Sequence, residues 1–214
     1  MDAVFDNLDA FVAGFRTTLW LSVVSFALSM LLGTVVATMR VSPVAPLRAA
    51  GLAYVETFRN IPLTVFFALS VFGLPKVGIT FSFFGFAVMV LSVYTGAFVA
   101  EALRSGINTV AAGQAEAARS LGLTFGQTLG HVVVPQAART VVQPIGSLFI
   151  ALAKNSAIAS AFAVVELTSR FDQLTEAATA TLPLLVGTAF FYLLITIPAG
   201  VLTGIVERRV AFKR

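Results

Sequence analysis

Five apolar runs, each about twenty residues or longer, divide this 214-residue chain and leave it very few possible folds. They fall at about residues 17–39, 49–72, 83–103, 141–165 and 182–206. A helix rises about 1.5 Å per residue, so each run can cross the roughly 30 Å of hydrocarbon in a bilayer. Within that hydrocarbon every backbone N–H and C=O must be satisfied internally, which leaves helices or closed barrels. The strand alternation of a barrel is missing. The expected fold is therefore an all-α membrane protein with about five transmembrane helices. Only 11% of the residues are charged, against roughly 25% in soluble domains, in keeping with that class.

The longest polar interruption spans about residues 108–135. Small helix formers fill Ala111 to Leu121, and Gly122 can turn left-handed and stop that helix. Thr124 and Gln127 have the spacing of a capping box at the start of a second helix. Pro135 ends that helix or opens the next one. The pattern predicts two short helices joined at Gly122 and held at the membrane surface, within a single transmembrane domain over residues 1–214.

Charge gives the orientation. Arg40, Arg48, Arg104, Arg119, Arg139, Arg208, Arg209, Lys213 and Arg214 fall on one side of the five runs. Asp2, Asp6, Asp9, Lys76, Glu166, Arg170, Asp172 and Glu176 fall on the other, with Arg16 at its border. The positive-inside rule then puts the N-terminus outside, the C-terminus in the cytoplasm and the 108–135 loop in the cytoplasm. Asp2, Asp6 and Asp9 stand where a cleaved signal would carry lysine or arginine, so none is expected. A net charge of +4 is modest and calls for no nucleic-acid partner.

Polar residues inside the runs mark where helices meet or solutes pass. Lys154 lies about 14 residues, or roughly 20 Å, into the fourth run, followed by Asn155 and Ser156. An ammonium there costs roughly 2.5–3.5 kcal/mol unless it faces a cavity or a partner. Two readings are open: a cation lining a translocation path with Asn155 and Ser156, or a salt bridge to Glu101. Arg59, a second candidate for such a path, sits three residues from Glu56 on one helical face, where the pair can neutralise each other. Ser22, Ser25, Ser29 and Gly33 share one face of the first helix and allow close backbone approach, either within the subunit or at a dimer seam. Pro62, Pro144, Pro183 and Pro198 lie in or beside runs, where neighbours must satisfy the freed carbonyls. No internal repeat supports the inverted-repeat plan of many secondary transporters. Five spans are few for a complete transporter, so a paired subunit is expected.

Catalytic and metal chemistry find little to work with. The chain has no cysteine, and its one histidine, His131, has no cluster of acids around it in sequence. A phosphate-binding P-loop needs Gly-Lys followed by Ser or Thr; Lys76, Lys154 and Lys213 all lack that context. ATP hydrolysis by that route is excluded.

Glu116-Ala117-Ala118, three residues, Gly122, nine residues and then Val132-Val133-Val134-Pro135 resemble the EAA loop of ABC importer permeases, with Val132 and Val134 in place of isoleucine and leucine. Tyr54-x-Glu56-x-Phe58-Arg59-Asn60-Ile61-Pro62-Leu63 is similar to the second-span signature of the polar amino acid (histidine/glutamate/glutamine) permease group. The stretch from Tyr94 to Ile107, Gly113-Gln114-Ala115, Leu121-Gly122-Leu123, Pro135-Gln136-Ala137 and Lys154-Asn155-Ser156 also fit that group; Ala157 and Ile158 depart from it. The resemblance runs from Gly14 to Arg209.

It implies a type I importer permease in a bacterial cytoplasmic membrane. Two permease subunits, identical or homologous, would sit on an ABC ATPase dimer, and an extracytoplasmic binding protein would deliver a polar amino acid, with glutamate favoured. ATP and magnesium would be held by the ATPase, and this chain would bind no cofactor. Gly113, Gln114, Glu116, Ala117, Ala118 and Gly122 would form the ATPase-coupling element. In it Glu116 would meet a basic residue of the ATPase or pair with Arg119, while Ala117 and Ala118 permit close contact. Lys154, Asn155, Ser156 and Arg59 would line the substrate path. The competing expectation is an ion-gradient-coupled transporter or channel. The coupling-type loop, the small span count and the lack of a buried carboxylate relay stand against it.

Overall fold

The computed structural model describes residues 2–177 and 181–210. Lys213 and Arg214, counted above in the basic tail, lie outside the described residues. After a helical turn at Asp2–Phe5 come α1 (Leu8–Val41), α2 (Ala45–Asn60), α3 (Leu63–Ala68), α4 (Phe83–Asn108), α5 (Ala112–Ser120), α6 (Phe125–Thr128), α7 (Val134–Asn155), α8 (Leu167–Ala177) and α9 (Thr181–Val210). Among the described residues four helical stretches are long and apolar enough to cross a membrane, and five if the bent pair, α2 with the stretch from Leu63 to Val77, counts as one broken span. The outside of the bundle is apolar: in α9 only 11% of the most hydrophobic window is buried, which suits a helix facing lipid.

The serine and glycine face of α1 is an internal seam. Ser22, Ser25, Ser29 and Gly33 are all buried, and α1 makes its most extensive contact with α4. Ser29 Oγ lies 2.7 Å from the Ser25 carbonyl and 3.2 Å from that of Ser92. Ser92 Oγ in turn reaches the Ser25 carbonyl at 3.2 Å. A Cβ at Gly33 would sit 2.5 Å from Val99 Cγ1 and 2.9 Å from the Gly96 carbonyl oxygen, so glycine is what allows this crossing. Gly33→Ala should lower stability by about 1–3 kcal/mol through overpacking. Thermal unfolding of the purified chain checks this against Gly130→Ala, where nothing lies within 4 Å of the new methyl.

Two expected boundaries are corrected. The second run is not one straight helix: α2 ends at Asn60, and the chain bends by 105° before α3. Pro62 forces Ile61 into extended backbone (φ −79°, ψ 133°) and brings no N–H to continue the helix. Nor is the capping-box helix short, because α6 runs through a π turn at Leu129–Val133 into α7 and on to Phe162. In that turn the Val134 N–H bonds to the Leu129 carbonyl, five residues back, and this wider turn takes in Pro135 without a break.

Aromatic and aliphatic side chains pack the part of the bundle remote from α5. Phe67, Leu91 and Phe162 belong to one buried cluster, with the Phe67 and Phe162 rings 5.1 Å apart. Phe11, Leu167, Leu184 and Phe191 form another, in which the rings of Phe11 and Phe191 stack at 5.4 Å.

Candidate functional site

The 108–135 loop is shaped by local chemistry at both ends of its turn. Three residues, Thr109 to Ala111, join α4 to α5. At the end of α5, Gly122 adopts φ +85°, its N–H bonds to the Arg119 carbonyl at 2.9 Å, and Leu123 N–H reaches the Ala118 carbonyl at 3.2 Å. This is a Schellman cap, which most residues other than glycine would strain. Immediately afterwards Thr124 Oγ1 accepts from Gln127 N–H at 3.3 Å, while Gln127 Oε1 accepts from Thr124 N–H at 2.9 Å. The expected capping box is present, and two rigid caps meet within three residues.

This geometry sorts the candidate coupling residues. Gly113, Gln114, Glu116, Ala117 and Gly122 are exposed, but Ala118 is 5% exposed and turned into the chain itself. Ala118 thus lets α5 approach its own fold and does not present a side chain outward. Glu116 and Arg119 make no ion pair, so the intrahelical alternative for Glu116 falls away among the described residues. Leu121 (82% exposed) and Phe125 (61%) stand out beside α5. Hydropathy overlooks them, since two apolar side chains in a polar loop do not register in a span-length window. His131 is exposed, its Nδ1 3.1 Å from the Gln127 carbonyl, a surface residue as expected.

A groove runs between α4 and α7. A cavity of about 320 Å³ is lined by Arg59, Phe98, Glu101, Ser105, Thr140 and Leu148. A second, of about 230 Å³, is lined by Tyr94, Thr95, Phe98, Leu148, Leu152 and Asn155, so the two share Phe98 and Leu148. The Arg59 guanidinium lies 5.5 Å above the centre of the Phe98 ring, a cation–π contact. The expected neutralisation of Arg59 by Glu56 does not occur: no ion pair joins them, and Glu56 instead accepts from Asn60 Nδ2 at 3.3 Å. Lys154 is exposed and makes no hydrogen bond or ion pair among the described residues. Its alternative partner, Glu101, is taken by Arg40 and Arg104. Asn155 is half-buried at the groove, whereas Ser156 is fully buried with its hydroxyl donating to the Ala153 carbonyl at 2.8 Å. Ser156 therefore leaves the set of groove residues.

Glu166, counted above among the charges on the side opposite the basic residues, is fully buried. Its carboxylate accepts from the Tyr192 hydroxyl at 2.8 Å, the Ser169 N–H at 2.9 Å and the Thr18 hydroxyl at 3.3 Å. Burial pushes this carboxyl up in pKa, while those donors and the Thr168 N–H hold it down. It ties α1, α8 and α9 together at the end remote from α5. No metal-binding cluster of His, Cys, Asp and Glu occurs among the described residues.

A lipid-facing helical bundle, with a clamped polar helix at one end and a cation-bearing groove along one side, is the build of a polytopic membrane subunit and has the type I ABC permease fold. The chain belongs to the family of binding-protein-dependent transport system inner membrane components, which it matches over residues 29–212. It is 40% identical over 206 residues to a probable glutamine ABC transporter permease protein, GlnM, of Bacillus subtilis, covering 96% of this chain and 95% of that one. It is 41% identical over 214 residues to the glutamate transport system permease protein GluC of Corynebacterium glutamicum, covering 94% and 93%. The solved structure of an amino acid ABC transporter with histidines superposes with a TM-score of 0.90 at 31% identity, covering 96% of each chain. Permeases of this family are non-catalytic membrane components, and this chain is one of them.

Proposed function

We propose that this chain is the permease subunit of an ATP-driven importer for a polar amino acid, glutamate or its amide before others. The observation that carries the reading is α5. It is a short exposed helix closed by a Schellman cap, joined to α4 by three residues and, across the capped turn from Leu121 to Thr124, to the fourth span. Such an element can be pushed as a rigid body and move two spans at once. Named relatives for glutamine and glutamate support the amino acid class.

In this mechanism α5 faces the cytoplasm and sits in a cleft of an ABC ATPase dimer, which holds ATP and magnesium. Gly113, Gln114, Glu116 and Ala117 meet that partner, and Gly122 sets the angle. A second permease subunit, identical or homologous, covers the groove, because cations on a span face do not stay against lipid. Arg59, Lys154 and Asn155 then line a path along which a substrate carboxylate is drawn. An extracytoplasmic binding protein delivers the amino acid, and closure of the ATPases drives alternating access in the cytoplasmic membrane. The ion-gradient reading finds one buried carboxyl in Glu166, with both oxygens engaged and no second buried acid among the described residues to relay a proton.

The test is an uptake screen of the common amino acids with the complex and its binding protein in proteoliposomes. Uptake of glutamate or glutamine, and not of leucine, is expected. Uptake of none of the polar amino acids would contradict the assignment.

A further inference from the structure

We propose that Arg40, Glu101 and Arg104 form an ionic latch that passes movement of α5 to the wall of the groove, with Glu101 as its central positioning residue. The inference rests on the coupling role given to α5 above.

Glu101 holds α1 and α4 together. One carboxylate oxygen pairs with Arg40 Nη1 at the end of α1, and the other pairs with Arg104 Nη2 one turn along α4. Arg104 Nε adds a bond to the first oxygen at 3.3 Å. The three side chains are only 12%, 24% and 30% exposed (Arg40, Glu101, Arg104), so water screens these charge-assisted bonds incompletely.

The position of the triad sets it apart from an ordinary surface ion pair. Glu101 faces the groove cavity beside Arg59 and Phe98. Arg40 and Arg104 face a different cavity, of about 370 Å³, together with Ala111 and Ala115 of the coupling element and Leu129 and Val133 of the π turn. The ionic group is thus the partition between the two spaces. Arg104 lies in the last turns of α4, and only Thr109 to Ala111 separate that helix from α5, so a displacement of α5 must load the triad. Arg40 cannot simply follow, because α2 is packed against it: a Cβ at Gly51 would lie 2.8 Å from Arg40 Cγ. Two guanidinium groups share one carboxylate, so breaking either arm leaves a cation with no anion beside it. Such a group is either engaged or released, which is what a switch between two packed states requires.

The experiment compares Glu101→Gln and Arg40→Gln with the unsubstituted chain in the reconstituted complex, measuring ATP hydrolysis and amino acid uptake on the same vesicles. The latch predicts that substrate moved per ATP hydrolysed falls about tenfold in both variants, within the range of measured allosteric couplings. It also predicts that Arg40→Glu combined with Glu101→Arg recovers most of that ratio, because the swap puts the acid on α1 and both bases on α4. A merely structural pair would lower the amount of assembled complex and leave the ratio alone. An unchanged ratio in assembled Glu101→Gln and Arg40→Gln complexes would overturn the latch, as would failure of both variants to assemble. If the unsubstituted complex shows no ATP-driven uptake, the importer reading fails first and takes the latch with it; a normal unsubstituted complex with an unchanged ratio in the variants defeats the latch alone.

Discussion

Glu116→Arg combined with Gly122→Val should strip the chain of its ATPase while leaving the chain folded. Gly122 sits at φ +85°, where a β-branched side chain costs about 1–2 kcal/mol or more. The cost is conformational only, since no atom lies within 4 Å of a Cβ built there. Valine at this position therefore releases the Schellman cap and re-aims α5 with no clash at its own Cβ. Reversing the charge of exposed Glu116 then sets like charges against the basic residue expected on the ATPase, a penalty of several kcal/mol at an interface. Together these effects should lower the ATPase recovered with the chain by about a hundredfold or more, since each 1.4 kcal/mol is worth a factor of ten. Co-purification and thermal unfolding, measured side by side, check both halves. A double variant that still binds the ATPase and transports normally would show that α5 is not the coupling element.

Lys154→Ala carries the second large effect, with the opposite signature: assembly intact and transport lost. The Lys154 ammonium has no partner among the described residues and is exposed in the last turn of α7. Against lipid it would cost roughly 2.5–3.5 kcal/mol, so its removal should leave stability unchanged or slightly raised. In a path beside Asn155 it would attract the substrate carboxylate, and its loss should reduce uptake about tenfold, the worth of one modest charge-assisted contact. Uptake kinetics and co-purification with the ATPase separate the two roles. Unchanged kinetics would remove Lys154 from the path.

The contrast between these two sites explains what could be read in the sequence. The shape of the loop around α5 was legible because its geometry is made by neighbours in the chain: Gly122 ends one helix, and Thr124 with Gln127 starts the next. The α1 seam was legible for a similar reason, since Ser22, Ser25, Ser29 and Gly33 share a face at helical spacing, though only the fold decides that α4 covers it. Breaks in the helices were harder. Hydropathy averaged over a span does not see the 105° bend at Ile61–Pro62, and nothing local announces that a π turn will carry α6 past Pro135. Charge partners were the least legible. Glu101 meets Arg40 and Arg104 and not Lys154, and Glu166 is buried among Thr18, Ser169 and Tyr192, because pairing depends on the height and rotation of separate helices. Position along the chain does not encode those quantities.

The central claim, that energy enters from a partner ATPase and not from an ion gradient across this chain, is tested most directly by uptake into proteoliposomes. The complex, its binding protein and a labelled amino acid taken from the uptake screen are given either enclosed ATP with all gradients collapsed, or proton and sodium gradients without ATP. Uptake should occur only with ATP and only with the binding protein present. Gradient-driven uptake by this chain without ATP or the ATPase would contradict the account.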